Sequence, residues 1–68
     1  MKYNIGDLII PDKEHFSSIA YITDYIHLEE LYQLTWIYKD GRTARILYDY
    51  IMLKDVLTYG YKLIPVKE

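Results

Sequence analysis

The strongest constraint on folding in this sequence is an Asp40-Gly41 pair that separates two stretches of β-forming residues. The stretch from Leu31 to Tyr38 alternates, so that Tyr32, Leu34, Trp36 and Tyr38 share one face and Leu31, Gln33, Thr35 and Ile37 the other. An Asp-Gly pair tolerates the positive φ of tight hairpin turns, and a second β-forming stretch, Thr43 to Tyr48, follows at once. The pattern predicts an antiparallel hairpin connected by residues 39–42.

Three further strands and one helix are predicted around this hairpin. The strands cover residues 7–10, which Pro11 ends, Ile19 to Ile26, and Tyr61 to Val66. Apolar spacings of one turn predict a short helix at about 50–58, with Asp49 as its N-cap and Gly60 beyond its C-terminus. Residues 12–18 and 27–30 are predicted loops, with Phe16 packing the first against the sheet. The prediction is one mainly β domain, residues 1–68, forming a five-stranded antiparallel barrel.

The composition requires this domain to be stabilised by packing. The chain has 68 residues and no cysteine, so it has neither disulfides nor thiolate metal ligands. It has nine tyrosines, one tryptophan and one phenylalanine, and a buried aromatic side chain removes roughly 150–250 Å² from water. So many rings exceed what a small core encloses, and some are expected at the surface, where Tyr and Trp favour protein contacts.

The charge distribution argues against a dedicated nucleic-acid-binding protein. The net charge is −2, whereas such proteins carry a clear basic excess. Residues 1–30 contain six acidic and two basic residues, and residues 31–68 contain four acidic and six basic ones. A mildly basic surface in the second half remains compatible with this distribution.

Four short motifs occur in an order that resembles a known architecture. They are Gly6-Asp7-Leu8-Ile9, Tyr32-x-Leu34-x-Trp36, Asp40-Gly41 and Gly60-Tyr61-Lys62-Leu63-Ile64. With the intervening loops and helix, this order resembles that of Src-homology-three-like (SH3-like) and Tudor-like barrels, and the layout is similar to small barrel proteins of tailed bacteriophages. The resemblance implies an SH3-like barrel over nearly the whole chain, and a phage-encoded protein.

The resemblance also bears on ligands. Tudor-like barrels bind methylated ammonium groups in aromatic cages, and Tyr21, Tyr25, Trp36, Tyr38, Tyr48 and Tyr50 are the rings available for one here. Packing of these rings in the core or on the surface is the interpretation that the sequence favours. Leu47-Tyr48-Asp49-Tyr50 repeats the tyrosine motif of proline-peptide-binding SH3 domains, but it follows the hairpin instead of lying near the N-terminus. Recognition of proline-rich peptides is therefore not expected.

The sequence predicts a non-enzymatic protein-interaction module that binds a host or phage protein. Alternatives are a weak single-stranded nucleic-acid or RNA-binding barrel, with Lys39 in its basic patch, and a structural homodimer without another ligand. The predicted binding residues, for protein or nucleic acid, are Trp36, Tyr38, Arg42, Arg45, Tyr48 and Tyr50.

Catalysis, cofactors and metals are not expected. His15 and His27 lie in separate loops, Asp12, Glu14 and His15 are interpreted as a solvated loop, and Ser17 and Ser18 have no base in view. No apolar run has the length of a membrane span or the flanks of a signal peptide. The expected location is the cytoplasm, that of the host if the protein is phage-encoded.

Overall fold

The computed structural model describes residues 3–13 and 17–66, which form five antiparallel strands in one sheet and one helix. The elements, in chain order, are β1 (Leu8–Pro11), β2 (Ile19–Ile26), β3 (Leu31–Ile37), β4 (Thr43–Tyr48), α1 (Tyr50–Thr58) and β5 (Tyr61–Ile64). The predicted fold class is confirmed: the chain is mainly β, with a short helix before the last strand. The predicted Phe16 contact, with Glu14 and His15, lies outside the described residues.

The sheet has the strand order β4-β3-β2-β1-β5, so β5 pairs with β1, on the side of β1 away from β2. Trp36 on β3 nevertheless meets Tyr61 on β5, with ring centroids 5.3 Å apart and the planes nearly perpendicular. In a flat sheet these strands would lie about 14 Å apart, since neighbouring strands are about 4.8 Å apart. The sheet is therefore strongly coiled, and its inner side, the core face, encloses the hydrophobic core.

The core is small and comes from strands β1, β2 and β3, with one residue from the helix. Its members are Ile9, Ala20, Ile22, Tyr32, Leu34, Trp36 and Leu53. The predicted alternation of β3 is confirmed over the strand, because Tyr32, Leu34 and Trp36 are buried on the core face. Tyr38, predicted to continue this row, lies beyond the end of β3 and is exposed.

The hairpin between β3 and β4 uses a three-residue connection. The N–H of Gly41 donates to the Tyr38 carbonyl at 2.9 Å, and the N–H of Tyr38 donates to the Arg42 carbonyl at 2.8 Å. This pattern is a β-turn followed by a glycine in the left-handed region, and Gly41 has a φ of 90°. Asp40 does not need positive φ. Its carboxylate instead accepts a hydrogen bond from the Arg42 N–H at 3.0 Å and pairs with the Arg42 side chain.

A β-bulge in β2, between Ile22 and Asp24, changes which side chains reach the core face. Before the bulge Ile22 is opposite Leu34, and after it Tyr25 is opposite Tyr32. Without the extra residue, alternation would direct Asp24 to the core face instead of Tyr25. The hydroxyl of Thr23, inside the bulge, accepts a hydrogen bond from the Gln33 side-chain amide at 2.8 Å. The bulge therefore delivers a tyrosine to this end of the sheet.

The helix begins and ends where the sequence predicts. The Asp49 carboxylate accepts a hydrogen bond from the Met52 N–H at 2.8 Å, and this N-cap satisfies one of the free donors of the first turn. The last turn is followed by Gly60, whose φ of 145° is positive but more extended than the αL value. Leu53 is the helical residue fully buried against the sheet.

Candidate functional site

A cleft opens where the turn between β2 and β3 faces the start of α1. It has a volume of about 490 Å³ and is lined by Tyr25, Glu29, Glu30, Tyr32, Asp49, Tyr50 and Ile51. The turn and the helix start are neighbours because Tyr32, at the start of β3, is opposite Tyr48, at the end of β4. This volume lies within the range of about 300–1,000 Å³ that is typical of ligand sites.

Tyrosine rings form one wall of the cleft and support one another. Tyr25 and Tyr32 have ring centroids 4.8 Å apart, and Tyr3 packs edge-on against Tyr32 at 5.5 Å. Tyr3 also stacks on Tyr50, with centroids 5.9 Å apart and planes 22° apart. The hydroxyl of Tyr32 accepts a hydrogen bond from the Tyr3 N–H at 3.1 Å. These contacts restrict the rings, so the wall exists before any ligand arrives.

Carboxylates line the same cleft. Glu29 and Glu30 come from the turn and Asp49 from the start of α1, and no lysine or arginine is among the described lining residues. Glu30 has a φ of 55°, a left-handed value that is uncommon for a residue with a side chain. Burial, the Glu30 carboxylate and Tyr32 together raise the pKa of Tyr25. The cleft therefore combines the negative faces of aromatic rings with negative charge, which favours a cationic ligand.

The six predicted binding residues fall in different places. Trp36 and Tyr48 meet on the core face, where the Trp36 indole N–H donates to the Tyr48 hydroxyl at 3.0 Å. Tyr38 and Arg42 lie at the β3–β4 hairpin, and Tyr50 lines the cleft at the opposite end of the sheet. Arg45 is opposite Thr35, on the face of the sheet away from Trp36.

This placement separates the basic and aromatic groups predicted to form one patch. Arg45 lies on the outer face, as its alternation with Ala44 and Ile46 predicted, while Trp36 is buried and Tyr48 half-buried on the core face. Arg42 is paired with the exposed Asp40, at 2.7 Å between Nε and Oδ2. The sheet therefore stands between Arg45 and the rings.

Sequence reasoning identified Tyr25 and Tyr50 as candidate rings but missed the carboxylates as a site. The signal was present: Glu29 and Glu30 are in the β2–β3 loop and Asp49 follows β4, and antiparallel order brings these positions to one end of a sheet. The role of Tyr3 had no such signal, because it comes from a segment before the first strand.

The described residues contain no group of three or more His, Cys, Asp or Glu side chains that could hold a metal ion. Within the same residues, no helix combines the length and hydropathy needed to cross a bilayer. Comparison of the chain with protein-family models, curated proteins and solved structures gives no match. The class that the geometry defines is a small coiled antiparallel sheet with a tyrosine-lined, acid-rimmed cleft.

Proposed function

We propose that this protein is a non-enzymatic interaction module whose cleft receives a positively charged segment of a protein partner. The observation that carries this proposal is the lining of the cleft, where three tyrosines and three carboxylates lie together and no lysine or arginine is among the described lining residues. A lysine or arginine side chain brings both a cation for the rings and hydrogen-bond donors for the carboxylates. The order of motifs that resembles SH3-like and Tudor-like barrels supports the same class of function.

The partner is expected to be a protein because the site offers rings and acids together. A nucleic acid presents phosphates, which the carboxylates of Glu29, Glu30 and Asp49 would repel. The separation of Arg45 from Trp36 further weakens the nucleic-acid alternative. A cationic side chain on a flexible protein segment is attracted by the carboxylates, and its binding does not need Arg45 beside Trp36.

Titration with short peptides tests the proposal. The probes are three peptides of equal length, rich in lysine and arginine, in glutamate, or in serine, followed by backbone amide chemical shifts. We expect the basic peptide alone to shift the amides of residues 25–32 and 49–51, with an affinity that falls as salt screens the charges. Equal binding of all three peptides, or shifts confined to the hairpin, would contradict the proposal.

Two variants assign the binding to the cleft. Glu29→Gln combined with Glu30→Gln preserves the shape of the turn and removes two charges, and we expect affinity for the basic peptide to fall roughly tenfold. Tyr50→Ala should remove a stacking surface and weaken binding further. Tyr59→Ala is the matched control, since Tyr59 is 72% exposed and directly follows the C-terminal end of α1, away from the cleft. Affinity capture with the same variants then tests whether a cellular protein binds in this cleft.

A further inference from the structure

One edge of the sheet, along β4, has backbone groups available for pairing. Strand β4 pairs with β3 on one side only, and the closing hydrogen bond from Tyr38 to Arg42 fixes which residues face β3. Because hydrogen-bonded and non-bonded pairs alternate in an antiparallel ladder, residues 44, 46 and 48 bond to β3. Thr43, Arg45 and Leu47 therefore direct their N–H and C=O groups away from β3, on a side where no strand of the described residues pairs with β4.

The other edge, β5, is protected in ways that β4 is not. It has four residues, it is followed by Pro65, and α1 packs against it more extensively than against β4. Short length, proline and a covering helix are among the usual means of blocking edge-to-edge association. Strand β4 has six residues and no proline, so the two edges differ in their capacity to pair.

Strand β4 also exposes apolar side chains on both of its faces. Ile46, on the core face, is 40% exposed, and Leu47, on the outer face, is 43% exposed. An added strand would cover Ile46 on one side of the sheet and Leu47 on the other. Apolar groups on both sides of an open edge favour an added strand of similar composition.

The charged residues next to this edge would meet opposite charges in a second copy of the chain. If two β4 strands pair antiparallel with Leu47 opposite Leu47 of a second copy, Arg45 stands opposite Asp49 of that copy, twice by symmetry. Asp49 has an extended backbone, with φ of −78° and ψ of 174°, so it continues the strand direction. A pairing centred on Arg45 would place two arginines opposite each other, which is unfavourable.

We infer that this chain forms a symmetric dimer through its β4 strands, centred on Leu47, with Arg45 paired to Asp49 of the second copy. The two sheets then continue into one. The dimer shares Asp49 with the cleft, but it is tested at Leu47 and Arg45, which do not line the cleft, so the two proposals can fail separately.

Single substitutions by cysteine report the register of the β4–β4 pairing directly, since the natural chain contains no cysteine. On the two-fold axis, Leu47→Cys brings two thiols to within the reach of a disulfide, and we expect mild oxidation to convert most of it to a covalent dimer. Thr43→Cys is the matched control, because residue 43 has the same orientation in β4 but lies four residues from the two-fold axis. Equal cross-linking of both variants, or a preference for Arg45→Cys or Ile46→Cys, would overturn the proposed register.

The unmodified protein and charge variants test association without cysteine. Light scattering should give a mass that rises with concentration from 8.2 kDa towards twice that value. Arg45→Glu should weaken the dimer roughly tenfold because it places like charges opposite each other at two positions. Arg42→Glu is the control with the same charge change outside the pairing. A mass of one chain at every concentration, or equal effects of Arg42→Glu and Arg45→Glu, would overturn the proposal.

Discussion

The indole N–H of Trp36 donates a hydrogen bond to the hydroxyl of Tyr48 at 3.0 Å, which joins the neighbouring strands β3 and β4 on the core face. Trp36 is buried and its ring also meets Tyr61 of β5. A single tryptophan thus contacts both ends of the strand order, and the hydrogen bond satisfies its one polar atom.

Tyr48→Phe should destabilise the protein by leaving this buried donor without its acceptor. We expect a loss of about 1–3 kcal/mol in the free energy of unfolding, measured by urea denaturation. Trp36→Phe removes the donor itself, so adding Tyr48→Phe to it should cost much less than Tyr48→Phe alone. If the two effects add fully, the hydrogen bond contributes nothing to stability.

Asp7→Ala should be among the most damaging substitutions of a polar residue. Asp7 is 2% exposed, and its two carboxylate oxygens accept hydrogen bonds from the N–H of Asn4 at 3.0 Å and of Val66 at 2.9 Å. The side chain therefore joins the segment before β1 to the segment after β5. Because alanine leaves both donors without an acceptor, we expect a loss of about 2–4 kcal/mol.

Asp7→Asn separates these two bonds. An amide offers one acceptor oxygen where the carboxylate offers two, so it can satisfy one of the two backbone donors. We expect stability between that of the unmodified protein and that of Asp7→Ala in the same urea experiment. Stability of Asp7→Ala equal to that of the unmodified protein would show that the carboxylate does not join the two segments.

Leu53→Ala should detach the helix from the sheet. Leu53 is the fully buried residue of α1, and large-to-small changes at such sites cost about 2–5 kcal/mol. Ile51→Ala is the control, because Ile51 lies in the same helix but is 69% exposed, and its change should be within about 0.5 kcal/mol. Thermal unfolding of both variants measures the difference, and equal losses would contradict the packing described here.

Alkaline pH should destabilise the fold through its packed tyrosines. Burial, followed by the neighbouring Tyr50, raises the pKa of Tyr3 above 10.0, and burial, followed by Tyr48, raises that of Tyr61. The folded state then holds protons that the unfolded state has lost, so the stability from these groups is complete below pH 10 and falls as the pH rises above it.

Tyr61→Phe tests this pH dependence. The free energy of unfolding, measured by urea denaturation at several pH values from 8 upward, should decline less steeply in the variant than in the unmodified protein. Tyr59→Phe, which removes an exposed hydroxyl, should follow the profile of the unmodified protein. A Tyr61→Phe profile parallel to that of the unmodified protein would refute a contribution from this group.

Most of the fold followed from local patterns. The alternation of residues 31–37, the glycine after Asp40 and the cap at Asp49 determine local geometry through neighbours in sequence, and the corresponding strands, hairpin and helix form at the predicted positions. The three-residue form of the hairpin differs from a tight Asp-Gly turn because hydrogen bonding at Tyr38 and Arg42 places only Gly41 at positive φ.

The candidate site depended on contacts between distant segments. The sequence determined that tyrosines and carboxylates would be abundant at loops and strand ends, because residue type and strand order suffice for that. The tertiary structure decided which of them meet: the bulge at Thr23 turns Tyr25 instead of Asp24 towards the core face, and Tyr3 reaches Tyr50 across 47 positions. The physical reason is that a strand assigns a side chain to a face by local geometry, whereas coiling of the sheet determines its neighbours.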